Sequence, residues 1–377
     1  MSRSEDLLIV ADSEHDANML YAVGMFVPDA FIFLRLRGRN YIVMSDLEID
    51  RARRQAPHCT ALSLSRYQKR LREAGVKNPL SNHVIKEILR DRRIRQVKVP
   101  ANFPHGIAAE LQRAGIRVKA ASGSFFPQRE EKSPLEVRKI SAALIMAEVG
   151  MAEAIQVLRS ARIGRDRTLL YHNVPLTSEK LRAVIDTTIL QACGTAAHTI
   201  VAGGKQGCDP HEKGHGPLRA NEPIIIDIYP RSQKTGYFGD ITRTVVRGRA
   251  SEPLRRLYDT VLQGQKIAFR RMRAGTNTKE IHKAVTEHFE KQGFSTKKRN
   301  GRMEGFFHGT GHGLGLEIHE PPRVSRNSID TLKPGHVVTV EPGLYYAEIG
   351  GVRLEDVALV TKNGARNLTH FEKVLEV

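Results

Sequence analysis

Four carboxylates stand inside short apolar runs, where buried strands normally carry aliphatic side chains. Asp227 and Asp240 lie in the two runs of residues 223–247 (PIIIDIYPRSQKTGYFGDITRTVVR), and Glu341 and Glu355 lie in the two runs of HVVTVEPGLYYAEIGGVRLEDVALV. Burial of a lone carboxylate is unfavourable, so an acid inside a strand usually has a compensating partner such as a cation or a metal. The alternative interpretation is that the acids lie at strand ends and face water.

The spacing of these acids favours the first interpretation, because it occurs twice. Asp227 and Asp240 are 13 residues apart, and Glu341 and Glu355 are 14 residues apart. The corresponding members of the two pairs are 114 and 115 residues apart. The sequence therefore contains an internal repeat of two-strand units, each with two carboxylates. Two such halves that face each other would bring all four acids to one centre.

Four converging carboxylates repel one another unless cations neutralise them. One divalent ion leaves a large charge imbalance, whereas two divalent ions balance the four negative charges. Paired metals share bridging carboxylates and a water molecule, which they polarise towards hydroxide. A mostly oxygen ligand set with one imidazole suits manganese, iron, cobalt or zinc. The sequence thus predicts two divalent metal ions of this group.

Candidate imidazole ligands lie in two glycine-rich segments. FFHGTGHGLGLEIHE carries His308, His312 and His319 among glycines that prevent a helix and allow the backbone to approach a site closely. GCDPHEKGHG carries His211 and His215, which are four residues apart like His308 and His312. The glycine-rich segments therefore repeat together with the acids.

Helices are predicted before both acid-bearing units. Ser133 is a helix cap, Pro134 suits the first helical position, and Glu136 completes a capping box. An apolar stripe with 3–4 spacing follows. Further helices are predicted over residues 177–193, 252–274 and 278–292, and each of these three ends near a glycine. The order of helix, helix, glycine-rich segment and acid-bearing strands occurs twice, which predicts an α+β domain with a pseudo-twofold repeat.

Residues 1–121 are predicted to form a separate α/β domain. Short apolar strands alternate with helices over residues 14–22, 62–75, 81–91 and 105–115, which is typical of a mainly parallel sheet. The region has no glycine-rich nucleotide loop and no acid–histidine cluster, so we assign no chemistry to it. Residues 122–132 are interpreted as a linker, and residues 133–377 as the acid-bearing domain.

The composition is that of a globular protein with an unusual charge. The 377 residues are 40% hydrophobic and 27% charged, with a net charge of +18. The basic residues are scattered and tryptophan is absent, which disfavours a nucleic-acid partner. Cys59, Cys193 and Cys208 form no disulfide or zinc-ribbon pattern, and Cys208 is interpreted as structural. The apolar runs are short of a membrane span, and the N-terminal pattern is not a secretory signal, so we predict a cytoplasmic protein without a membrane partner.

Four segments of the chain resemble motifs of the metal-dependent Xaa-Pro peptidases, aminopeptidase P and prolidase. They are DITRT, HGTGHGLGLEIHE, EPGLY and GVRLEDVALV. These peptidases share the pita-bread fold with methionine aminopeptidases. The resemblance covers residues from about 133 to the C-terminus, and the preceding domain is similar to the creatinase-type N-terminal domain of that group. It implies a homodimeric metallopeptidase that uses a metal-bridging hydroxide to cleave the Xaa-Pro bond at the N-terminus of peptides or in Xaa-Pro dipeptides.

The resemblance also implies how the two metal ions are held. All the implied ligand positions are carboxylates or one imidazole, and they fall into two overlapping sets. Asp227, Asp240 and Glu355 would hold one ion, and Asp240, His312, Glu341 and Glu355 would hold the other, with Asp240 and Glu355 bridging. Arg353 would orient the bridging carboxylates or form a structural salt bridge.

Further roles follow from the same resemblance. Glu341 would act as a general base and then as an acid, moving a proton to the leaving nitrogen. His319 would stabilise the oxyanion or the proline carbonyl, and His308 would line the proline pocket. His211 would contact substrate, with His215 as the competing assignment.

The sequence departs from the family pattern between the first two acids. The interval from Asp227 to Asp240 is two residues longer than usual, and IYPRSQK replaces a small glycine-containing turn. We expect an added hairpin loop that leaves both acids in place.

Alternative functions are a metal-free creatinase-like hydrolase and a non-catalytic pita-bread module that binds nucleic acid or protein. A metal-free site has no reason to keep four acids together, and only the net charge supports a binding module. The extra N-terminal domain and the contexts of His319 and Arg353 disfavour a methionine aminopeptidase. The choice between dipeptides and longer peptides stays open, because the N-terminal domain or another subunit often closes the pocket beyond proline.

Overall fold

The computed structural model describes residues 5–377. The chain divides into two compact units, Met1–Pro127 and Gln128–Val377. The division lies inside the segment 122–132 that the sequence predicts as a linker.

The first unit has the predicted α/β alternation around a six-stranded sheet of order β4-β3-β2-β1-β5-β6. Its elements are β1 (Leu7–Ala11), α1 (Ala17–Val23), β2 (Phe31–Leu36), β3 (Arg39–Met44), α2 (Ile49–Gln55), β4 (Thr60–Ser63), α3 (Leu64–Glu73), α4 (Ser81–Asp91), β5 (Gln96–Val99), α5 (His105–Arg113) and β6 (Arg117–Ala120). The sheet is mixed, with three parallel and two antiparallel pairings. The antiparallel part includes a β2–β3 hairpin that turns at Arg37 and Gly38, both at positive φ.

The second unit contains four long helices and seventeen short strands. They are α6 (Pro134–Ser160), β7 (Arg162–Ile163), β8 (Leu169–Tyr171), β9 (Val174–Pro175), α7 (Ser178–Gln191), β10 (Gly194–Thr195), β11 (Ile200–Gly203), β12 (Ile224–Ile228), β13 (Arg231–Ser232), β14 (Ile241–Val245), α8 (Glu252–Arg271), α9 (Thr278–Lys291), β15 (Lys297–Arg299), β16 (Arg302–Glu304), β17 (Gly311–Gly313), β18 (Glu320–Val324), β19 (Val337–Val340), β20 (Gly343–Tyr346), β21 (Gly350–Arg353), β22 (Asp356–Val360) and β23 (Ala365–Asn367). The four helices match the predicted ones to within a few residues. The capping box of Ser133 and Glu136 is present.

The second unit is built from two similar halves. In the first half, α6 and α7 pack on the antiparallel strands β11-β12-β14, and in the second half α8 and α9 pack on β17-β19-β22. Asp227 lies in β12, and Glu341 directly follows the corresponding strand β19. Asp240 and Glu355 directly precede β14 and β22. The repeat of acids in the sequence is therefore a repeat of strand positions in the fold.

The added residues between the first two acids form the expected hairpin. Arg231 and Ser232 turn back on Tyr237 and Phe238, with Gly236 at a φ of 76°. This short ribbon pairs with β10, away from the β12–β14 ladder. In that ladder Asp227 pairs in register with Thr242, so the insertion leaves the central strands regular.

Helix α6 is long and apolar enough to cross a membrane by length and composition, with a mean hydropathy of 1.5 over its most apolar window. The length of uninterrupted apolar runs in the sequence did not reveal this property of the helix, because polar residues interrupt its apolar residues. Half of that window is buried inside the protein, in the core with α7 and β12. Burial of this kind is typical of a core helix.

Gly239 lies where this helix passes the acid-bearing strand β14. A Cβ atom on Gly239 would meet the backbone of Ala143 and Leu144 in α6. We predict that Gly239→Ala destabilises the protein by about 1–3 kcal/mol, because backbone cannot move aside as a flexible side chain does. Denaturant unfolding measures this, with Gly364→Ala as the control. A Cβ on Gly364 meets nothing within 4 Å, so its change should stay within about 0.5 kcal/mol. Equal effects of the two substitutions would contradict the packing argument.

Candidate metal centre

One cavity of about 730 Å³ in the second unit collects the predicted site residues. Its walls include all the predicted metal ligands, Asp227, Asp240, His312, Glu341 and Glu355, and also His211, His308, His319 and Arg353. His215 does not line this cavity, and its side chain is 72% exposed. Of the two competing histidines, the structure brings only His211 to the acids.

Three of these residues form a compact buried group. Potential ligand atoms of Asp240, His312 and Glu355 all lie within 4.8 Å of one another, and each residue is at most 6% exposed. Nε2 of His312 is 3.4 Å from Oε1 of Glu341 and 3.8 Å from Oδ2 of Asp240. The acids of both halves therefore meet around one imidazole.

Hydrogen bonds between the two halves hold the acid-bearing strands together. The Thr242 hydroxyl donates to Oε2 of Glu355 at 2.7 Å, and the backbone N–H of Glu355 donates to the Thr242 carbonyl at 3.0 Å. Thr242 lies in β14, two residues after Asp240. The placement of Asp240 and Glu355 is thus fixed by a direct contact across the pseudo-twofold axis.

The acids repel one another strongly in this environment. Burial, and then the charge of Glu355, raises the pKa of Asp240 well above its ordinary value. Burial, and then the charge of Glu341, has the same effect on the pKa of Glu355. Burial raises the pKa of Glu341 to about 7, although the Arg353 guanidinium opposes it. Without added cations the centre can keep its shape only by taking up protons.

His312 presents a lone pair to these acids. Its Nδ1 lies 3.1 Å from the Gly313 carbonyl, which can only accept, so Nδ1 carries the proton. Burial, followed by the charge of His319, lowers the pKa of His312 to about 3, so the ring is neutral. Nε2 then has no hydrogen and faces carboxylate oxygens at less than 4 Å. A lone pair directed at anions is unfavourable unless a cation lies between them.

Asp227 supplies further evidence that the donors fit a metal. Its Oδ2 accepts a hydrogen bond from Nη2 of Arg353 at 2.6 Å, whereas its Oδ1 is buried and has no hydrogen-bond partner among the described residues. A buried acceptor without a donor normally has a ligand that completes it. Carboxylate oxygens and one neutral imidazole form the donor set that divalent ions such as manganese, iron, cobalt or zinc accept.

Arg353 reaches the bridging acids only through Thr242, because its Nε lies 3.4 Å from the hydroxyl that donates to Glu355. Its guanidinium forms an ion pair with Asp227 and donates to the Tyr345 hydroxyl at 3.1 Å and to the Pro210 carbonyl at 3.3 Å. It makes no ion pair with Asp240 or Glu355. The salt bridge that the sequence left as the alternative is present, and it orients Asp227.

A hydrogen-bonded chain joins His308 to the same arginine. Nδ1 of His308 donates to the Gly309 carbonyl at 2.8 Å, so Nε2 accepts from the Tyr345 hydroxyl at 2.9 Å. Burial, and then the charge of Arg353, lowers the pKa of His308 to about 3. Tyr345 is fully buried and connects a cavity histidine to the arginine on Asp227. No pattern in the sequence singled out Tyr345.

Known proteins that resemble this chain identify its family. Residues 138–362 match the metallopeptidase family M24. An Xaa-Pro dipeptidase of Pyrococcus horikoshii is 30% identical over 284 residues, which are 75% of this chain and 75% of that protein. An Xaa-Pro dipeptidase of Pyrococcus furiosus is 38% identical over 181 residues, 48% of this chain and 49% of that protein. The chain belongs to metallopeptidase family M24.

Solved structures support the same fold over nearly the whole chain. The X-Pro aminopeptidase of Thermotoga maritima superposes with a TM-score of 0.83 at 22% identity, covering 99% of this chain and 97% of that one. The prolidase of Pyrococcus horikoshii OT3 gives a TM-score of 0.78 at 25% identity, covering 98% and 95%. The creatinase-like and pita-bread architecture implied by the motifs is therefore confirmed, and the protein is a metal-dependent peptidase.

The M24 site contains one cation that the sequence reasoning missed. Arg323 lines the cavity from β18, where it pairs in register with His312. Its backbone N–H donates to Asp330, whereas its guanidinium has no ion pair or hydrogen bond among residues 5–377. Its charge contributes, after burial, to the lowered pKa of His319. The sequence signal that could have revealed Arg323 is its position in a short strand directly after the histidine-rich segment.

Glu320 fixes the turn that carries His319. It is 3% exposed and accepts the backbone N–H groups of Leu316 and Glu317 at 3.0 and 3.1 Å. It also forms ion pairs with Arg129 and, at 2.8 Å, with Lys132. Burial raises the pKa of Glu320, but the two cations outweigh it and the pKa lies below the ordinary value of 4.5.

We predict that Glu320→Gln lowers the free energy of unfolding of the M24 enzyme by about 3–5 kcal/mol at neutral pH, because two largely buried cations lose the buried carboxylate that they share. A depressed pKa stabilises the folded state above pH 4.5, and this contribution disappears as the pH falls through the folded-state pKa. The difference between wild type and variant should therefore shrink in acid. Denaturant unfolding across a pH series, on metal-free samples of both proteins, measures it.

Glu317→Gln is the matched control for this prediction. Glu317 contacts the same Arg129 at 2.7 Å, but its side chain is 58% exposed. Exposed ion pairs contribute about 0–1 kcal/mol, so this variant should stay close to wild type. A pH-independent loss in Glu320→Gln would contradict the ionic explanation.

Proposed function

We propose that this M24 enzyme is a dinuclear Xaa-Pro dipeptidase. One observation carries the proposal: the same cavity wall holds the buried acid cluster and the unpaired cation Arg323. An acid-lined metal centre suits the cleavage of a peptide bond, and a free guanidinium suits the carboxylate of a short substrate. The relatives from the two Pyrococcus species are named Xaa-Pro dipeptidases, which supports this choice.

The residues that would hold the two ions follow from the donor set. Asp227, Asp240 and Glu355 would hold one ion, and Asp240, His312, Glu341 and Glu355 the other, as the family resemblance implies. When bound, the ions would supply an activated water and polarise the scissile carbonyl. Manganese is the proposed metal, with cobalt, zinc or iron as alternatives, because the donors are mainly hard oxygens.

Glu341 is the proposed proton carrier of the reaction. It is the least enclosed of the four acids at the cavity, with 21% of its side chain exposed. A carboxylate at this position would accept the proton released by the attacking water and deliver it to the nitrogen that leaves. The Thr339 hydroxyl, 3.4 Å from its Oε1, would hold its orientation.

The cavity histidines are proposed to bind and orient substrate. His319 packs against His312 with ring centroids 4.4 Å apart and would donate to the carbonyl oxygen as charge develops there. His308, held by Gly309 and Tyr345, lies beside Phe307 and would form the wall of a proline pocket. His211 lies exposed at the opening and would contact the substrate there.

Arg323 is proposed to hold the C-terminal carboxylate of the dipeptide. The guanidinium lines the cavity in the strand next to His312, so a bound carboxylate would stay close to the reacting bond. Charge-assisted hydrogen bonds of this type are strong and, with a planar guanidinium, directional. A homodimeric assembly and a cytoplasmic location remain predictions that accompany this function.

Metal content provides the first test. Purified wild-type protein, loaded with manganese and desalted, should retain about two ions per chain, because two divalent charges balance four carboxylates. Asp240→Asn should lose most of this metal, since Asp240 is the proposed bridge. Elemental analysis measures both. Asp209→Asn is the control, because Asp209 lines the same cavity but is exposed and lies outside the acid cluster. Unchanged metal in Asp240→Asn would exclude the proposed ligand set, whereas no retained metal in the wild type would favour a metal-free creatinase-like hydrolase.

Substrate length provides the second test. We predict that manganese-loaded enzyme cleaves Ala-Pro, and that Arg323→Gln lowers kcat/KM for Ala-Pro by about 10–100-fold, mainly through KM, because a charge-assisted contact is lost. The amide Ala-Pro-NH₂ lacks the carboxylate and should be cleaved equally by both proteins. Arg326→Gln removes a nearby exposed arginine that does not line the cavity, and should behave as wild type.

Two outcomes would overturn the proposal in different ways. Efficient cleavage of Ala-Pro-Ala with weak cleavage of Ala-Pro, unaffected by Arg323→Gln, would indicate an aminopeptidase. No cleavage of any Xaa-Pro substrate with manganese or cobalt would remove the Xaa-Pro specificity altogether.

A further inference from the structure

A second cavity of about 870 Å³ lies beside the metal centre in the same unit. Its walls come from the basic hairpin β15–β16, from the segment around Cys208 and from residues 345–348. Asp209, Pro210 and Phe307 line both this cavity and the metal-centre cavity. The predicted metal ligands do not line it, so the cavity lies next to the acid cluster and shares part of its wall with the proposed reaction site.

The cavity contains a buried carboxylate without a partner. Glu304, the last residue of β16, is 7% exposed and lines the cavity. Its side chain has no hydrogen bond or ion pair among the described residues. Its neighbour in the strand register is Lys297, yet no Glu304–Lys297 ion pair forms within 4 Å. Burial of an anion is unfavourable without a cation, and the open side of Glu304 is the cavity.

The cavity rim carries charges of both signs, because Asp209, Glu212 and Glu348 line it together with three basic residues. Asp209 and Glu212 accept the backbone N–H groups of His211 and Gly214. Lys205 and Arg302 line the cavity, are exposed, and have no ion-pair partner among residues 5–377. Arg299 differs, because it pairs with Glu348 at 2.9 Å. One free carboxylate at depth and two free cations at the rim suit a ligand with a positive group and a negative group.

The remaining wall is suited to a small apolar body. Met303, Phe307 and Ala347 contribute apolar surface. Burial raises the pKa of the Cys208 thiol to about 11, so it remains neutral and adds to this surface. The structural role that the sequence assigned to Cys208 is compatible with this position.

We propose that this cavity is a binding site for a zwitterionic amino acid or short peptide, whose ammonium group pairs with Glu304 and whose carboxylate pairs with Arg302 and Lys205. The site is additional to the proposed reaction, because substrate cleavage requires none of these residues. Amino acids and short peptides share the two charged groups, so the experiment below separates them.

The same geometry makes the site a regulator of the metal centre. Tyr345 lines the second cavity, and its hydroxyl contacts both His308 and Arg353. Its backbone pairs with Gly305, the residue after Glu304, through hydrogen bonds of 2.9 and 3.2 Å. A ligand on Glu304 would therefore lie against the backbone that is paired with Tyr345, which holds a cavity histidine. Binding should change kcat rather than compete with substrate. This regulatory part depends on the proposed function, whereas binding itself does not.

Direct binding tests the site without turnover. Glycylglycine lacks proline and serves as the peptide probe, glycine as the amino-acid probe, and N-acetylglycylglycine as a probe without the ammonium group. We expect calorimetry on the metal-loaded protein to detect glycylglycine or glycine in the millimolar range, and to show binding weakened about tenfold by Glu304→Gln and by removal of the ammonium group, because each removes the same charge pair. The probe that binds more tightly identifies the ligand class.

Controls separate this site from the metal centre and from misfolding. Glu290→Gln removes an exposed acid outside both cavities and should bind as wild type. Glu304→Gln should keep or increase the unfolding temperature, because it removes an unpaired buried charge. If glycylglycine binding survives Glu304→Gln, if neither probe binds, or if Glu304→Gln markedly lowers the unfolding temperature, the assignment is wrong. Competitive inhibition of Ala-Pro cleavage without a change in kcat would overturn the regulatory part alone.

Discussion

The metal centre depends on the mutual repulsion of four carboxylates that the fold removes from water. Burial raises the pKa of Asp240, Glu355 and Glu341, so the centre is stable only with cations or bound protons. The two halves of the second unit supply the free energy that keeps these acids together, because each half buries a large apolar core under its helices. The Thr242 contact with Glu355 joins the halves at the acids themselves. The stability of the two apolar cores thus maintains an electrostatically strained site.

The protein itself relieves only part of the repulsion between these acids. Arg353 neutralises Asp227 on one side and leaves its second oxygen without a partner. His312 contributes a lone pair and no charge, since its proton is committed to the Gly313 carbonyl. The only protein cation in ion-pair contact with the four acids, among the described residues, is therefore on Asp227. Asp240, Glu341 and Glu355 have no such cation among the described residues, which fits the metal dependence of family M24.

The sequence predicted the repeat, the helices and the convergence of the acids, because each rests on a local pattern. Hydrophobic periodicity defines α6 to α9, and acids inside apolar runs define the ends of the paired strands. The pairing of strands in the first unit was less predictable, since β4 and β6 are short edge strands without fully buried residues or a clear apolar pattern. Tyr345 and Arg323 were missed for a related reason. Their importance comes from what they contact across the sheet, and neither residue type is unusual in a strand.

Burial alone does not reveal what a charged residue does, and two glutamates of this protein show why. Glu320 and Glu304 are almost equally buried, at 3% and 7% exposure. Glu320 is satisfied by two cations and two backbone N–H groups, so its environment is complete and its function is to hold a turn. Glu304 has no partner among the described residues and faces a cavity whose rim carries free cations. An internal network explains the first carboxylate, whereas the second requires a positive group from outside the chain. The same reasoning distinguishes Arg353, whose donors are occupied, from Arg323, whose guanidinium is available to a substrate.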